Sequence, residues 1–221
     1  MEKGKLLVFG DSILKGVQVG DDRRYKISKV GFETIPGWTV NNVSRFGCTV
    51  TKALDSADQV IQRSGASVAL MDFGGNDCDY DWRAVAANPN GTHSPRTELF
   101  DFRQAYMRLI DKERTAGIEP LLMTLPPIDS EKYLQWFCTQ LHINRSRVMQ
   151  WLGDVSRIDE QQARYSEEVE KIAKAMGTGL IDVRSCFKEA ESSKSLLCVD
   201  GIHPNVNGQS IIMNSVERLL A

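Results

Sequence analysis

Short apolar runs alternate along this chain with segments whose apolar residues recur every three or four positions, and that alternation restricts the fold more than any other feature. Leu6–Phe9, Val68–Phe73 and Pro120–Leu125 are runs of the first kind, with Gly or Pro directly after each, and Thr39–Val43 and Gly179–Val183 are weaker ones. Between them lie four stripes at helical spacing: Leu54, Ala57, Val60 and Ile61; Leu99, Phe102, Tyr106 and Leu109; Val169, Ile172, Ala173 and Met176; and Ile212, Val216 and Leu219. Strands apolar on both faces must be covered on both, which calls for a parallel sheet between helical layers. The predicted class is therefore α/β, as a three-layer α/β/α sandwich. A length of 221 residues fits one domain over residues 1–221 at about 150 residues per domain. A chain this long buries roughly 70% of its unfolded surface, so its core needs neither disulfides nor metal.

The charge balance narrows the partners. With 27 basic and 29 acidic residues the net charge is −2, which supplies no field for gathering nucleic acid or anionic lipid. No nucleic-acid partner is expected. The five cysteines, Cys48, Cys78, Cys138, Cys186 and Cys198, are scattered and form no Cys-x-x-Cys pair, so they read as free thiols in a reducing compartment rather than as a disulfide framework or zinc site. The apolar run before Gly10 is too short for a signal-peptide core, and no run reaches membrane-spanning length. A cytoplasmic protein without stable membrane insertion is the expectation, its oligomeric state open.

In open parallel sheets ligands bind beyond the carboxyl ends of the strands, which directs attention to Gly10-Asp11-Ser12, Gly47, Gly74-Gly75-Asn76-Asp77 and Pro126-Pro127. Taken alone, Ser12 reads as the N-cap of a following helix. It becomes a nucleophile only beside an oriented base, and there are three histidines to consider. His93 lies in a polar loop and His142 in a predicted helix. His203 sits in Asp200-Gly201-Ile202-His203-Pro204, where a turn at Gly201 folds the Asp200 carboxylate back onto the imidazole. With Nδ1–H held there, Nε2 is left to accept a serine proton. Asn76 offers a side-chain amide and Gly47 a backbone N–H, the kind of donors a developing oxyanion requires; either alone is also ordinary turn chemistry.

Together these residues resemble the SGNH hydrolases, the GDSL esterases and lipases, whose four blocks appear here in order. They are Phe9-Gly10-Asp11-Ser12-Ile13, the stretch around Gly47, Gly74-Gly75-Asn76-Asp77, and Asp200-Gly201-Ile202-His203-Pro204. Ile13 stands where the family name has Leu. The resemblance implies a flavodoxin-like sandwich with about five parallel strands, and hydrolysis of a small acyl or acetyl ester through an acyl-enzyme, without cofactor or metal. It implies Ser12 as nucleophile, His203 as general base and acid, and Asp200 as its orienter. The oxyanion donors would be the Ser12 and Gly47 N–H groups and the Asn76 amide. Asp11, Asp77 and Trp136 join as candidate substrate-binding residues.

Two stretches, Asp77–Arg96 and Pro126 to about Arg157, read as irregular binding loops. Their aromatics, Tyr80, Trp82, Tyr133, Trp136, Phe137 and Trp151, suit either a pocket wall for an acyl chain or sugar ring, or the packing of the loops themselves. Two rivals accompany the esterase reading. Asp72, Asp77, Asp79 and Asp81 cluster in sequence and would suit a hard cation in a metal-dependent phosphoesterase. The other is a binding module that keeps the fold without turnover. A Gly-x-Ser-x-Gly elbow, a phosphate loop and a dinucleotide fingerprint are all missing.

Overall fold

The computed structural model describes residues 4–28, 35–190 and 193–221. Strand β1 (Gly4–Gly10) shows how the apolar runs work: Leu6 and Val8 face one side of the sheet and Leu7 and Phe9 the other, all buried. With a side-chain period of two, an unbroken apolar run fills both faces at once. A small antiparallel hairpin follows, β2 (Val17–Val19) with β3 (Tyr25–Ile27). Then come β4 (Trp38–Asn42), α1 (Val50–Ser64), β5 (Val68–Asp72), α2 (Trp82–Ala87), α3 (Leu99–Thr115) and β6 (Glu119–Met123). The chain continues through α4 (Ser130–Leu141), α5 (Arg145–Leu152), α6 (Arg157–Met176), β7 (Gly179–Ile181), α7 (Val183–Glu189) and α8 (Val206–Leu220).

Five strands form one parallel sheet in the order β4-β1-β5-β6-β7. The first crossover runs to one side of β1 and the later ones to the other, so the strand order reverses at β1 and β5 and opens a crevice beyond their carboxyl ends. One face is covered by α1, α3 and α6, with Ala53, Phe102, Tyr106 and Val169 against Leu7, Met71 and Leu122. The other carries α7 and α8, with Phe187, Ile212 and Val216 against Leu6, Leu70 and Met123. The predicted three-layer α/β/α architecture is the observed one.

The details differ in three places. Leu219, placed on the apolar stripe of α8, is 53% exposed, whereas Ile212 and Val216 are buried. The last strand stops at Ile181 because Asp182 turns to cap α7, its carboxylate accepting from the Ser185 N–H at 3.1 Å. Of the two stretches read as irregular, Asp77–Arg96 is so apart from α2, whereas Pro126 to about Arg157 is largely helical, carrying α4, at whose end His142 lies, α5 and the start of α6. They pack around a third apolar cluster of their own, built on Trp82, Val85, Leu134, Phe137, Val148 and Leu152. Trp82 and Phe137 stack there at 4.3 Å between ring centroids, 9° from parallel. This cluster forms a cap over the carboxyl end of the sheet.

Candidate active site

Each residue proposed for chemistry leaves the end of a strand, or is tied back to one. After β1 the chain makes a tight turn in which Lys15 N–H donates to the Asp11 carbonyl at 3.1 Å and Val17 N–H to that of Ser12 at 2.9 Å. Ser12 therefore does not cap a helix, and its hydroxyl is directed at His203, with Oγ 2.9 Å from Nε2. The two residues are 191 positions apart in the chain.

His203 is held by its own loop. Leu197 and Pro204 form a bridge, Cys198 N–H donates to the His203 carbonyl at 2.7 Å, and the Asp129 N–H at the start of α4 donates to that of Gly201 at 2.8 Å. Gly201 has φ 76°, and a Cβ there would lie 2.7 Å from the Asp129 carbonyl oxygen and from Lys132 Cβ. Only glycine fits this close approach in the left-handed region. Inside the turn, Asp200 Oδ1 accepts from the Ile202 and His203 N–H groups at 3.2 Å, and Oδ2 lies 2.5 Å from His203 Nδ1. Asp200 has no exposed surface and His203 2%. An imidazole whose Nδ1–H is committed to a carboxylate presents Nε2 as an acceptor to the serine hydroxyl.

Facing this pair are the donors. The Arg45-Phe46-Gly47-Cys48 turn is closed by Cys48 N–H to the Arg45 carbonyl at 3.3 Å, and Gly47 takes φ 68° within it. Neither the Gly47 nor the Ser12 N–H meets an acceptor among the described residues. Asn76, past the end of β5, donates one amide hydrogen to Asp11 Oδ2 at 2.8 Å. The opposite oxygen of Asp11 accepts from the Ile13 N–H at 2.8 Å. Burial pushes the Asp11 carboxyl up to about 6, opposed by that backbone bond, the nearby His203 and the Asn76 amide. Each of its two oxygens accepts a hydrogen bond, the pattern an ionised carboxylate makes. Both Asp11 oxygens are thus engaged with protein, and the residue is 2% exposed. Asp11 lines the cavity, as a substrate-binding residue would, and it also fixes which way the Asn76 amide points.

Asp77 also departs from its expected place. It is fully buried, does not line the cavity, and its two oxygens accept from the Val50 N–H at 3.1 and 3.2 Å at the start of α1. An anion at a helix N-terminus is favoured by the unsatisfied N–H groups there. Burial nevertheless raises this carboxyl to about 7, against hydrogen bonds from Thr97 and Val50. The other carboxylates of the sequence cluster are dispersed. Asp72 is buried, and neither of its carboxylate oxygens meets a hydrogen-bond donor among the described residues. Asp79 accepts from Trp82 Nε1 at 2.8 Å and pairs with Arg96 at 3.2 Å, while Asp81 caps α2 through the Arg83 and Ala84 N–H groups at 3.1 Å. Asp77, Asp79 and Asp81 thus have separate structural partners, and among the described residues no group of three His, Cys, Asp or Glu side chains is placed to hold a metal ion.

A cavity of about 390 Å³ opens at the serine and histidine and runs between the sheet and the cap. Its lining is mainly apolar, with Leu125, Ile128, Tyr133, Phe137, Leu141 and Ile158, and also takes in Arg96, Gln140, Gln161 and Gln162. Trp136 lines it, as the sequence reading expected. Among the lining residues that the sequence reading did not single out are Tyr25 on β3 and Phe46 beside Gly47. Their rings flank the imidazole: Phe46 lies face to face with His203 at 6.0 Å and 19°, and Tyr25 meets it edge-on at 6.0 Å. The other histidines lie elsewhere: His93 holds the Asn88 carbonyl at 2.8 Å, and His142 ends α4 with φ 54°. All five cysteines are free thiols, and four are buried.

A model of the GDSL-like lipase/acylhydrolase family matches residues 8–211. Over 179 residues the chain is 26% identical to GDSL esterase/lipase CPRD49 of Arabidopsis thaliana, a match covering 79% of this chain and 63% of that protein. The chain thus spans less than two thirds of the length of this curated relative. Among solved structures, a variant of an acetyl xylan esterase from Geobacillus stearothermophilus superposes with a TM-score of 0.70 at 18% identity, covering 98% of this chain and 94% of that one. The lipase/acylhydrolase from Enterococcus faecalis does so with a TM-score of 0.66 at 16% identity, covering 98% and 94%.

Proposed function

Since this chain belongs to the GDSL-like lipase/acylhydrolase family, we propose that it hydrolyses carboxylic esters through an acyl-enzyme formed on Ser12. The observation that carries this is the unbroken line Ser12 Oγ, His203 Nε2, His203 Nδ1, Asp200 Oδ2, at 2.9 and 2.5 Å, at the mouth of an apolar cavity. As Oγ attacks the ester carbonyl, Nε2 takes its proton, and the buried Asp200 carboxylate stabilises the imidazolium that forms. Negative charge develops on the former carbonyl oxygen. The Ser12 and Gly47 N–H groups and the remaining amide hydrogen of Asn76 receive it, each such donor being worth about 3 kcal/mol in comparable sites. His203 then protonates the departing alcohol, and a water activated by the same nitrogen releases the acid. The acyl group occupies the apolar arm toward Leu125 and Ile158.

The commitment of Asp77, Asp79 and Asp81 to separate partners favours this reading over a metal-dependent phosphoesterase. An oriented base 2.9 Å from a hydroxyl has no use in a module that only binds. We place the protein in a reducing compartment, the cytoplasm, a reading supported by its five free thiols. Among the described residues no helix is long and apolar enough to cross a membrane.

The test is hydrolysis of 4-nitrophenyl acetate by the wild type and by Ser12→Ala, together with labelling by a serine-reactive fluorophosphonate. Ser12→Ala is expected to lower kcat by about 10,000-fold or more, with folding intact and labelling gone. Asp200→Asn is expected to cost less. Turnover retained in Ser12→Ala would overturn the assignment.

A further inference from the structure

Two pieces of chain wall the apolar arm of the cavity. One is the segment after β6, with Leu125, Pro126 and Ile128, and the other is the start of α6, with Ile158 and Gln162. Pro126 and Pro127 have no N–H to donate, so between its ends the first wall can be fastened only through its carbonyls. At those ends the Leu125 N–H donates to Ser166 Oγ at 3.2 Å and the Ile128 N–H to Asp159 Oδ1 at 3.4 Å. The Pro126 carbonyl accepts from Gln162 Nε2 at 2.7 Å, and the Leu125 carbonyl from Arg184 Nη1 at 3.3 Å. The walls touch where Gln162 meets the Pro126 carbonyl, so the arm is closed on that side and favours a straight chain.

Arg184 joins these walls from behind. It is 6% exposed and does not line the cavity, and its own N–H donates to Thr124 Oγ1 at 3.0 Å just past the end of β6. From that fixed base Nη1 reaches Gln162 Oε1 as well as the Leu125 carbonyl, and Nη2 reaches Asp159 Oδ1 at 3.1 Å. One planar guanidinium, whose donors have fixed directions, thus serves acceptors on both facing pieces of chain. Resting on the esterase reading above, the geometry points to Arg184 as a positioning residue that sets the width of the acyl arm and so holds branched acyl groups out. Without it the Leu125 carbonyl and Gln162 Oε1 are left buried and unpaired, a state that water relieves by entering between the walls, which widens the arm.

The test compares 4-nitrophenyl acetate, butanoate and 3-methylbutanoate in the wild type, Arg184→Met and Arg184→Lys. One carbon in an apolar pocket is worth about 10-fold or more, so the ratio of kcat/KM for 3-methylbutanoate over butanoate is expected to rise by about 5-fold or more in Arg184→Met. Arg184→Lys keeps the charge beside Asp159 without the fork, and a rise of about 3-fold there carries the test even if Arg184→Met does not fold. Acetate, whose acyl group ends one carbon past the reacting carbonyl, should keep its kcat within about 3-fold in both variants. Val60→Ala, in α1 and away from the arm, separates lost stability from lost clamping: it should lower melting and leave the ratio alone. A ratio that stays within about twofold of the wild type or falls in the Arg184 variants would overturn the proposal, as would an equal rise in Val60→Ala. So would a loss of acetate turnover as large as that of butanoate, which would place the effect of Arg184 on the reacting groups instead of the arm. No hydrolysis of any of the three esters by the wild type would instead overturn the esterase reading itself.

Discussion

Replacing Gly201 by alanine isolates how much of the active site depends on one backbone fit. The new Cβ meets the Asp129 carbonyl oxygen and Lys132 Cβ at 2.7 Å and the Tyr133 nitrogen at 2.9 Å, so restoring ordinary contact moves the loop by roughly 0.7 Å or more. A left-handed φ of 76° adds about 1 kcal/mol for a residue with a Cβ, and overpacking about 1–2 kcal/mol more. Melting should therefore fall by roughly 5–10 °C for a protein of this size. Activity should suffer further, because the loop carries both Asp200 and His203. Stretching a 2.9 Å bond by that much breaks it, and misplacement on the order of 1 Å costs about 100-fold in turnover. Gly117 supplies the control. It has the same φ of 76° but nothing within 4 Å of its added Cβ, so Gly117→Ala should lower melting by only about 2–4 °C and leave kcat alone. The assays are thermal melting followed by circular dichroism and kcat on 4-nitrophenyl acetate. If Gly201→Ala keeps kcat within about twofold of Gly117→Ala, the seating of that loop against α4 does not set the position of the base.

Asp77 offers a pH signature. Burial raises its carboxyl from an ordinary 3.8 to about 7, so the folded state holds the proton more tightly than the unfolded one. Stability is then lost as pH rises from about 4 to about 7, by about 4 kcal/mol in all. Asp77→Asn should flatten this slope and be the more stable protein at pH 8; parallel stability curves from pH 5 to 8 would refute the assignment. EDTA should leave ester hydrolysis unchanged, and loss of activity restored by added Mg²⁺ would revive the phosphoesterase alternative.

The sheet was legible because it is encoded redundantly. Leu6 to Phe9 must be buried on both sides whichever register they take, and no helix periodicity competes with that. The grouping of the candidate site residues was legible for a related reason: Asp200 and His203 are three residues apart, and Ser12 and Asn76 lie within four residues of a strand's end, so local spacing and the rule of strand ends suffice. What stayed hidden depends on distance. Nothing near Asp77 announces that its partner is the Val50 N–H, and nothing near Asp11 announces Asn76, 65 positions on. The helices of the cap are a different case. Leu134, Phe137, Cys138 and Leu141 do follow a helical period, and the prolines before them and the aromatics among them masked it. Strands of three residues such as β2 and β3 are too short to show any period, so Tyr25 could not be placed from sequence.

The cap keeps its own apolar centre, with Trp82 on Phe137 and Leu134 on Val148, apart from the two clusters that clothe the sheet. One helix ties the two together: α4 gives Leu134 and Phe137 to that centre, while Asp129, Lys132 and Tyr133 at its start hold the Gly201 loop that carries His203. Changes in α2 and α5 are thus expected to alter which ester fits without disturbing His203, whereas changes at the start of α4 are expected to shift both at once.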